Sequence, residues 1–320
     1  MQRTVSRRWV VLYFFLMLSE VVLFLHGGQH TASKIEPPRT VDLNYRYLIS
    51  EPAYSSGEGP VVYVDEAHNN FHTAVTTYLP FARLLSDDGY VVKRSLNKFL
   101  HPLQNDGSIC VIADAQPPNK KSDPPSFSPE EIQNLVGWVH NGGSLFIITD
   151  HMPDPAAVAG LASAFGIQVN NGYAFTGPPP GSAEPLLFQS MDGTLAEHAL
   201  TVSGRTGQSI NTVATFAGSA FQASADFVPL LILKKGVRSW MPSEYRKFPP
   251  GTPSLDVSDW FQGGILEFGN GRVAFFSEAA MFTAQVFAEG RIKVGMNHSK
   301  ATGNAPFLLN IMHWLSGLEP

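Results

Sequence analysis

The sequence contains a single cysteine, Cys110, among 320 residues. The chain therefore cannot form an intramolecular disulfide, although export without disulfides is common in bacteria and is not excluded. Because Cys110 lies in the apolar stretch 108–113, we expect it to be a small buried residue within a strand.

Charged residues are also scarce. They make up 15% of the chain, and the formal net charge of -5 is spread without long runs of one sign. A nucleic-acid-binding protein usually carries a concentrated basic surface, so we expect no nucleic-acid partner.

Three catalytic motifs are missing. The Gly-x-Ser-x-Gly elbow of hydrolases and the phosphate-binding loop ending in Gly-Lys-Ser/Thr do not occur. His68 and His72 have the spacing of the zinc-protease motif, but Asn69 stands where that motif requires glutamate. Serine-hydrolase, P-loop and zinc-protease chemistry of these types is therefore not supported.

Apolar residues, glycine and proline are plentiful instead. The apolar fraction is 44%, with 28 glycines and 24 prolines. This composition predicts a sizeable core and many loops between short elements. The length exceeds that of a common domain, but α/β folds often form one unit of this size.

The N-terminus has the pattern of an export segment. Arg3, Arg7 and Arg8 precede a hydrophobic run over residues 9–25, which Glu20 interrupts. We expect residues 1–26 to form a hydrophobic helix that is either a signal-anchor or a cleaved signal peptide, and the pattern favours the anchor. The protein would then be membrane-anchored and extracytoplasmic, periplasmic or at the cell surface, or else secreted.

The remaining chain divides into a linker and one domain. Residues 27–59 are rich in turn residues and show no sustained period, which predicts a linker. Residues 60–318 alternate between predicted strands and helices. The predicted strands are 61–64, 90–92, 108–113, 144–149 and 227–233, and the predicted helices are 74–88, 129–140, 155–165, 279–289 and 305–315.

This alternation predicts a three-layer, doubly wound α/β domain of flavodoxin-like type, with a mostly parallel sheet. A β-hairpin over 264–268 and 273–277 follows near the C-terminus, because Asn-Gly in the segment 269–271 is a preferred turn sequence. Residues 170–207 are expected to cross the carboxyl edge of the sheet without regular structure. Trp240 and Tyr245 are candidates to line a cleft.

Polar side chains follow several of the predicted strands, where parallel sheets bind their ligands. We expect a ligand site formed by Asp65, Glu66, His68, Asn69, His72, Asp150, His151 and Glu278. Four of these are candidate metal ligands: His68, His72, Asp150 and His151. Carboxylates combined with imidazoles suit zinc, manganese or iron better than calcium.

Structural roles remain open for the same residues. Asp65 and Asp150 have the position of helix-capping carboxylates. His68 and His72 can also hydrogen-bond the backbone of a loop, and Glu278 can favour a helix N-terminus.

Three segments carry a resemblance to a known fold family. They are 64–73 (Val-Asp-Glu-Ala-His-Asn-Asn-Phe-His-Thr), 138–151 with Asp150-His151, and 277–282. They resemble a group of bacterial proteins with the class I glutamine-amidotransferase-like fold, which is also related to the auxiliary domain of gliding-motility-type ABC transporters. The resemblance covers about residues 60–315. It implies the fold but not glutaminase activity, because the Gly-x-Cys-x-Gly elbow is absent and Cys110 lies inside a strand.

Two functional hypotheses follow. The first is a membrane-tethered ligand-binding or accessory module of an envelope or ABC-transport complex, without catalysis. The second is a metal-assisted hydrolase that uses the His/Asp/Glu cluster. Elemental analysis of the purified domain distinguishes them, because the hydrolase should contain a stoichiometric metal such as zinc or manganese.

Overall fold

The computed structural model describes residues 40–101, 103–117, 125–179, 181, 184–202, 209–287 and 291–318. The predicted N-terminal hydrophobic helix, residues 1–26, lies outside the described residues. None of the helices in the described part combines the length and the apolar character that crossing a membrane requires.

The fold is mixed α/β. The strands are β1 (Thr40–Val41), β2 (Val61–Asp65), β3 (Val91–Ser95), β4 (Ile109–Ala113), β5 (Ser144–Ile148), β6 (Ile167–Val169), β7 (Tyr173–Thr176), β8 (Leu186–Gln189), β9 (Thr212–Thr215), β10 (Phe221–Ala223), β11 (Val228–Ile232), β12 (Val237–Trp240), β13 (Ser254–Asp256), β14 (Phe261–Phe268), β15 (Gly271–Phe276), β16 (Ala284–Phe287) and β17 (Ile292–Gly295). The helices are α1 (Leu79–Asp87), α2 (Pro129–His140), α3 (Asp154–Ala164), α4 (Ala199–Val202) and α5 (Asn304–Leu315). Short 3₁₀ turns occupy Ser190–Asp192 and Ala280–Phe282.

A nine-stranded sheet forms the centre, in the order β3-β2-β4-β5-β15-β14-β10-β6, with β11 also paired to β14. Its first five strands are parallel to one another. Because β10 and β11 run antiparallel to β14, which is antiparallel to β15, they point the same way as those five. The large sheet is therefore mostly parallel, as expected. Smaller sheets join β1-β16-β17, β13-β12-β7 and β8-β9.

Helices cover both faces of the parallel strands. Val111 and Phe146 pack with α1 and α5 on one face. The neighbouring residues Ile112 and Ile147 pack with α2 and α3 on the other face. Alternation along each strand and burial on both sides explain why these strands are continuous apolar runs in the sequence.

Two local predictions are confirmed. The helix expected at 129–140 is α2, and Ser128 and Glu131 form a reciprocal capping box at its start, with Pro129 as the first helical residue. The expected hairpin is formed by β14 and β15, but Phe268 pairs with Gly271, so the two-residue turn is Gly269-Asn270 and not Asn270-Gly271. The carboxyl ends of β2, β4 and β5 lie at one edge of the sheet, as the crossover rule predicts.

The predicted helix 279–289 is wrong. A 3₁₀ turn occupies Ala280–Phe282, and β16 follows it. The Glu278 carboxylate accepts hydrogen bonds from the Ala280 and Met281 N–H groups, and the backbone of β16 then pairs with β1 and β17. Tertiary pairing thus overrides the local pattern.

Other segments contain more structure than expected. Helix α1 begins at Leu79 rather than at residue 74, because Thr73 and Thr76 close a turn before it. The segment 170–207 contributes β7 and β8. Residues 40–59, within the predicted linker, contribute β1 and the Tyr54 ring, whose centroid lies 5.2 Å from that of Tyr90.

Two glycines of α2 and β15 provide a test of this packing. A Cβ at Gly271 would lie 2.0 Å from the Val139 carbonyl oxygen, whereas a Cβ at Gly137 meets nothing within 4 Å. We expect Gly271→Ala to lower the free energy of unfolding by about 2 kcal/mol or more. Gly137→Ala, the matched control, should raise it by about 0.5–1 kcal/mol, because alanine is the better helix former. Urea denaturation measures both, and equal effects of the two substitutions would contradict the β15–α2 packing.

Candidate metal site at the carboxyl edge of the sheet

The strand order places a topological switch between β2 and β4. The chain leaves β2 through α1 to reach β3 on one side, and it later enters β4 on the other side of β2. Helix α1 packs on one face of the sheet, and α2, which follows β4, packs on the other face. Loops that diverge in this way open a crevice at the carboxyl ends of the strands, where doubly wound proteins bind ligands.

The loops that follow β2 and β4 are joined to each other by hydrogen bonds. The Phe71 N–H donates to the Asp114 carbonyl at 3.0 Å, and Asn70 Nδ2 donates to the Ala113 carbonyl at 3.2 Å. Asn69 and Asp114 both adopt the left-handed region, with φ of 53° and 52°. Such backbone is uncommon outside glycine and often accompanies functional sites.

His72, Asp114 and Asp150 converge at the carboxyl edge of the sheet, on the loops that follow β2, β4 and β5. Each offers one ligand atom, and these atoms all lie within 4.8 Å of one another. His72 Nε2 lies 3.7 Å from Asp114 Oδ2, while its Nδ1 hydrogen-bonds Thr77 Oγ1 at 2.6 Å. A hydrogen bond at one ring nitrogen is the usual way in which a protein orients the other nitrogen toward a metal.

The electrostatics of the cluster favour a cation. Burial, reinforced by Asp154 and Asp150, raises the pKa of Asp114 well above its usual value. Burial and the nearby Asp150 likewise raise the pKa of Glu278 to about 8. Asp114 Oδ1 is buried and has no hydrogen-bond partner among the described residues. Buried carboxyls in this arrangement either take up a proton or bind a positive ion.

Glu278 borders the cluster but has a clear structural role. Its two carboxylate oxygens accept hydrogen bonds from the N–H groups of Ala280 at 3.2 Å and Met281 at 2.8 Å. The side chain therefore caps the 3₁₀ turn after β15, which is the structural alternative left open above.

His68 is not part of the cluster. Its Nδ1 lies 2.8 Å from Asp65 Oδ2 and its Nε2 lies 2.8 Å from Glu131 Oε1. The rings of Phe99 and Phe127 stack on it. Burial disfavours the imidazolium, but the hydrogen bonds and charges of Asp65 and then Glu131 outweigh burial and raise the pKa of His68.

The other expected site residues make contacts around the cluster. Glu66 forms an ion pair with Arg94 at 2.6 Å and accepts a hydrogen bond from the Ala74 N–H. Asn69 donates to the Pro117 carbonyl. His151 follows Asp150, and its Nδ1 lies 3.0 Å from the Met152 carbonyl.

The structure thus brings together two of the expected metal residues, His72 and Asp150, and adds Asp114, which sequence reasoning missed. Asp114 directly follows β4, so its position at the end of a buried strand was a usable signal. Cys110 itself lies within β4, and burial raises the pKa of its thiol well above its usual value.

Comparison with known proteins supports the fold. No family model matches the chain, and no curated protein sequence matches it. The solved mmIFT52 N-terminal domain superposes with a TM-score of 0.55 at 12% identity, covering 80% of this chain and 97% of that domain. A ThuA-like protein from Bacteroides uniformis gives 0.46 at 15% identity, covering 85% and 94%. Two Salmonella typhimurium proteins described as cytoplasmic give 0.43 at 11% identity, covering 80% of this chain and 99% and 98% of theirs.

These findings correct two predictions. The relation to the auxiliary domain of gliding-motility-type ABC transporters is wrong: the mmIFT52 N-terminal domain superposes instead, and at 12% identity it shows the fold alone. The membrane-anchored, extracytoplasmic location is not carried forward either. No helix of the described part is long and apolar enough to cross a membrane, and residues 1–26 lie outside that part. The envelope or ABC-transport partner stays a prediction.

The Asp65–His68–Glu131 contact makes a pH prediction. Because the pKa of His68 is raised above its ordinary 6.5 in the folded state, its stabilisation is complete below about pH 6.5 and is lost as pH rises through the raised pKa. The pKa of Glu131 is lowered from 4.5, since hydrogen bonds from Ser128 and His68 outweigh burial, so its contribution is lost as pH falls through the lowered value. Stability from this contact should be greatest between those limits.

His68→Gln should lower the free energy of unfolding by about 3–5 kcal/mol, because it leaves a buried carboxylate without its cation. The variant should also lose most of the decline in stability above pH 6.5. His140→Gln, an exposed histidine of α2, is the control. Urea denaturation from pH 5 to 9 measures both effects, and a wild-type pH dependence in His68→Gln would contradict an imidazolium at this position.

Proposed function

We propose that this protein is a small-ligand-binding domain with a three-layer, doubly wound, amidotransferase-like fold that holds a divalent cation, zinc or manganese, in the crevice between β2 and β4. The observation that carries this proposal is the convergence of ligand atoms from His72, Asp114 and Asp150, together with an Asp114 Oδ1 that is buried and has no hydrogen-bond partner among the described residues. The fold assignment is supported by the strand order and by helices on both sheet faces.

The chemistry of the donor set limits the choice of ion. One imidazole nitrogen and two carboxylate oxygens suit zinc or manganese, whereas calcium prefers oxygen ligands in larger number. Two carboxylates also match the charge of a divalent ion, which would offset the burial and the repulsion from Asp154 and Asp150 that raise the pKa of Asp114. Three protein ligands leave coordination positions for water or for a ligand.

The cation would bind a small ligand at its open coordination positions, rather than serve only to stabilise the fold. Structural zinc sites commonly use four protein ligands, and this cluster supplies three from loops at a ligand-binding crevice. The hydrogen bonds between the two loops hold the donors in place before the ion arrives, which reduces the cost of binding.

A metal-assisted hydrolase is the second candidate. It is favoured by the Glu278 carboxyl beside the cluster, because a bound cation activates water and a neighbouring acid can deliver a proton to a leaving group. Turnover of a substrate separates the two candidates, since the binding domain releases its ligand unchanged.

Asp114→Asn tests the metal site. Asparagine also tolerates the left-handed backbone, so the loop should be retained. We expect the affinity for Mn²⁺ or Zn²⁺, measured by calorimetry and by metal analysis after dialysis, to fall about 100-fold or more, by analogy with the loss of a charged ligand group. Asp106→Asn, an exposed carboxylate, should bind like the wild type.

Stability of the metal-free chain supplies a second measurement. If Asp114 serves the metal, Asp114→Asn should be as stable as the wild type or more stable without metal, because an amide replaces a carboxyl buried among other carboxyls. The wild type alone should then gain stability on adding metal. If Asp114→Asn unfolds the chain and the wild type binds no metal, Asp114 is structural and the proposal fails.

A further inference from the structure

A second group of side chains lies beside the metal cluster, on the loop between β12 and β13. The Lys247 N–H donates to the Glu244 carbonyl at 3.1 Å, which closes a turn with Arg246 at its third position. Arg246 has φ of 55° there. Glycine or asparagine is usual at a turn position with positive φ, so an arginine that keeps this backbone carries a conformational cost.

Arg246 is held against the residues that follow β5. Its N–H donates to the Tyr173 hydroxyl at 3.1 Å, and that hydroxyl donates to the Met152 carbonyl at 3.1 Å. These two bonds connect the backbone of the 241–253 loop with the backbone two residues after Asp150. The position of the loop is therefore tied to the cluster.

Aromatic rings orient the Arg246 side chain. Its guanidinium carbon lies 5.3 Å from the centroid of the Tyr245 ring. The His151 ring stacks on Tyr173 at 4.4 Å and lies 5.7 Å from Tyr245. His151 Nδ1 faces the Met152 carbonyl oxygen, which can only accept a hydrogen bond, so the ring proton of the neutral imidazole lies on Nδ1. Nε2 is then the acceptor, and it faces Arg246 Nη2 at 3.5 Å.

The half-buried guanidinium of Arg246 thus faces His151, which directly follows the proposed metal ligand Asp150 in the chain. Tyr173 interacts electrostatically with both Arg246 and Asp150, which is consistent with this closeness. An arginine beside a divalent cation makes a positive site with two anchors. Guanidinium binds planar or tetrahedral oxyanions through paired N–H groups.

We infer that Arg246 binds an oxyanion, a carboxylate or phosphate group, of the ligand that also reaches the cation at His72, Asp114 and Asp150. The inference rests on the proposed metal site and names the chemical class of its ligand. His151 and Tyr173 are positioning residues, because they hold Arg246 without needing to contact the ligand.

The test uses the full chain loaded with Mn²⁺, with inorganic phosphate and acetate as probes in calorimetry. Arg246→Gln should weaken binding of the preferred probe about 10- to 100-fold, the range expected for a charge-assisted contact. The probe affinity of Arg246→Lys should lie between those of the wild type and Arg246→Gln, because lysine keeps the charge but lacks the paired donors. Lys247→Gln is the matched control, since Lys247 is exposed and pairs with Glu244 on the same turn. Its affinity should stay within about twofold of the wild type.

Bound Mn²⁺ and the urea midpoint are measured for every variant, so that loss of metal or of fold is recognised. The probe that binds with the higher affinity, phosphate or acetate, identifies the oxyanion that Arg246 binds as a phosphate or a carboxylate. Wild-type protein that binds Mn²⁺ but neither anion, or an Arg246→Gln variant with wild-type anion affinity, overturns this inference and leaves the metal site standing. Wild-type protein that binds no Mn²⁺ overturns the proposed function itself.

Discussion

His68 hydrogen-bonds Asp65 at the end of β2 and Glu131 in the first turn of α2, so one imidazole joins two elements that are far apart in the sequence. Glu131 also accepts the Ser128 N–H in the capping box. The start of α2 and the loop after β2 therefore share one buried charged contact, covered by two phenylalanine rings. Loss of a partner would leave a buried charge uncompensated.

The candidate site depends on that contact through the geometry of the loop. Four residues after His68, the chain presents His72 toward Asp114, and the intervening backbone bonds to the loop after β4. A loop fixed at both ends can hold a donor at ligand distance without help from the ligand. The same region concentrates uncommon backbone at Asn69 and Asp114 and buried carboxyls with raised pKa, which is the usual association of strain and charge with function.

Several parts of this arrangement follow from local patterns. The parallel strands were recognisable as apolar runs and the hairpin by the turn sequence between two of them, and α2 was predicted at 129–140. His72 and Asp150 were identified because parallel strands place their carboxyl ends on one edge. The helix expected at 279–289 failed, because the capping of Ala280 and Met281 by Glu278 and the pairing of β16 with β1 are long-range interactions. The contact of His68 with Glu131 was not predictable for the same reason, since the two residues lie 63 positions apart.

The sequence by itself determined the α/β class, the direction of the main strands and the edge at which polar side chains gather. These features follow from the alternation of apolar strands with amphipathic helices, from the turn residues, and from the right-handed crossover between parallel strands. Only the tertiary structure decided which polar residues share a site. Charge pairing and burial depend on distances between loops, so His68 contacts Asp65 and Glu131, Asp114 lies with His72 and Asp150, and Arg246 faces His151 from a loop almost a hundred positions later. No local pattern encodes such distances, because they arise when diverging loops pack at the switch in strand order.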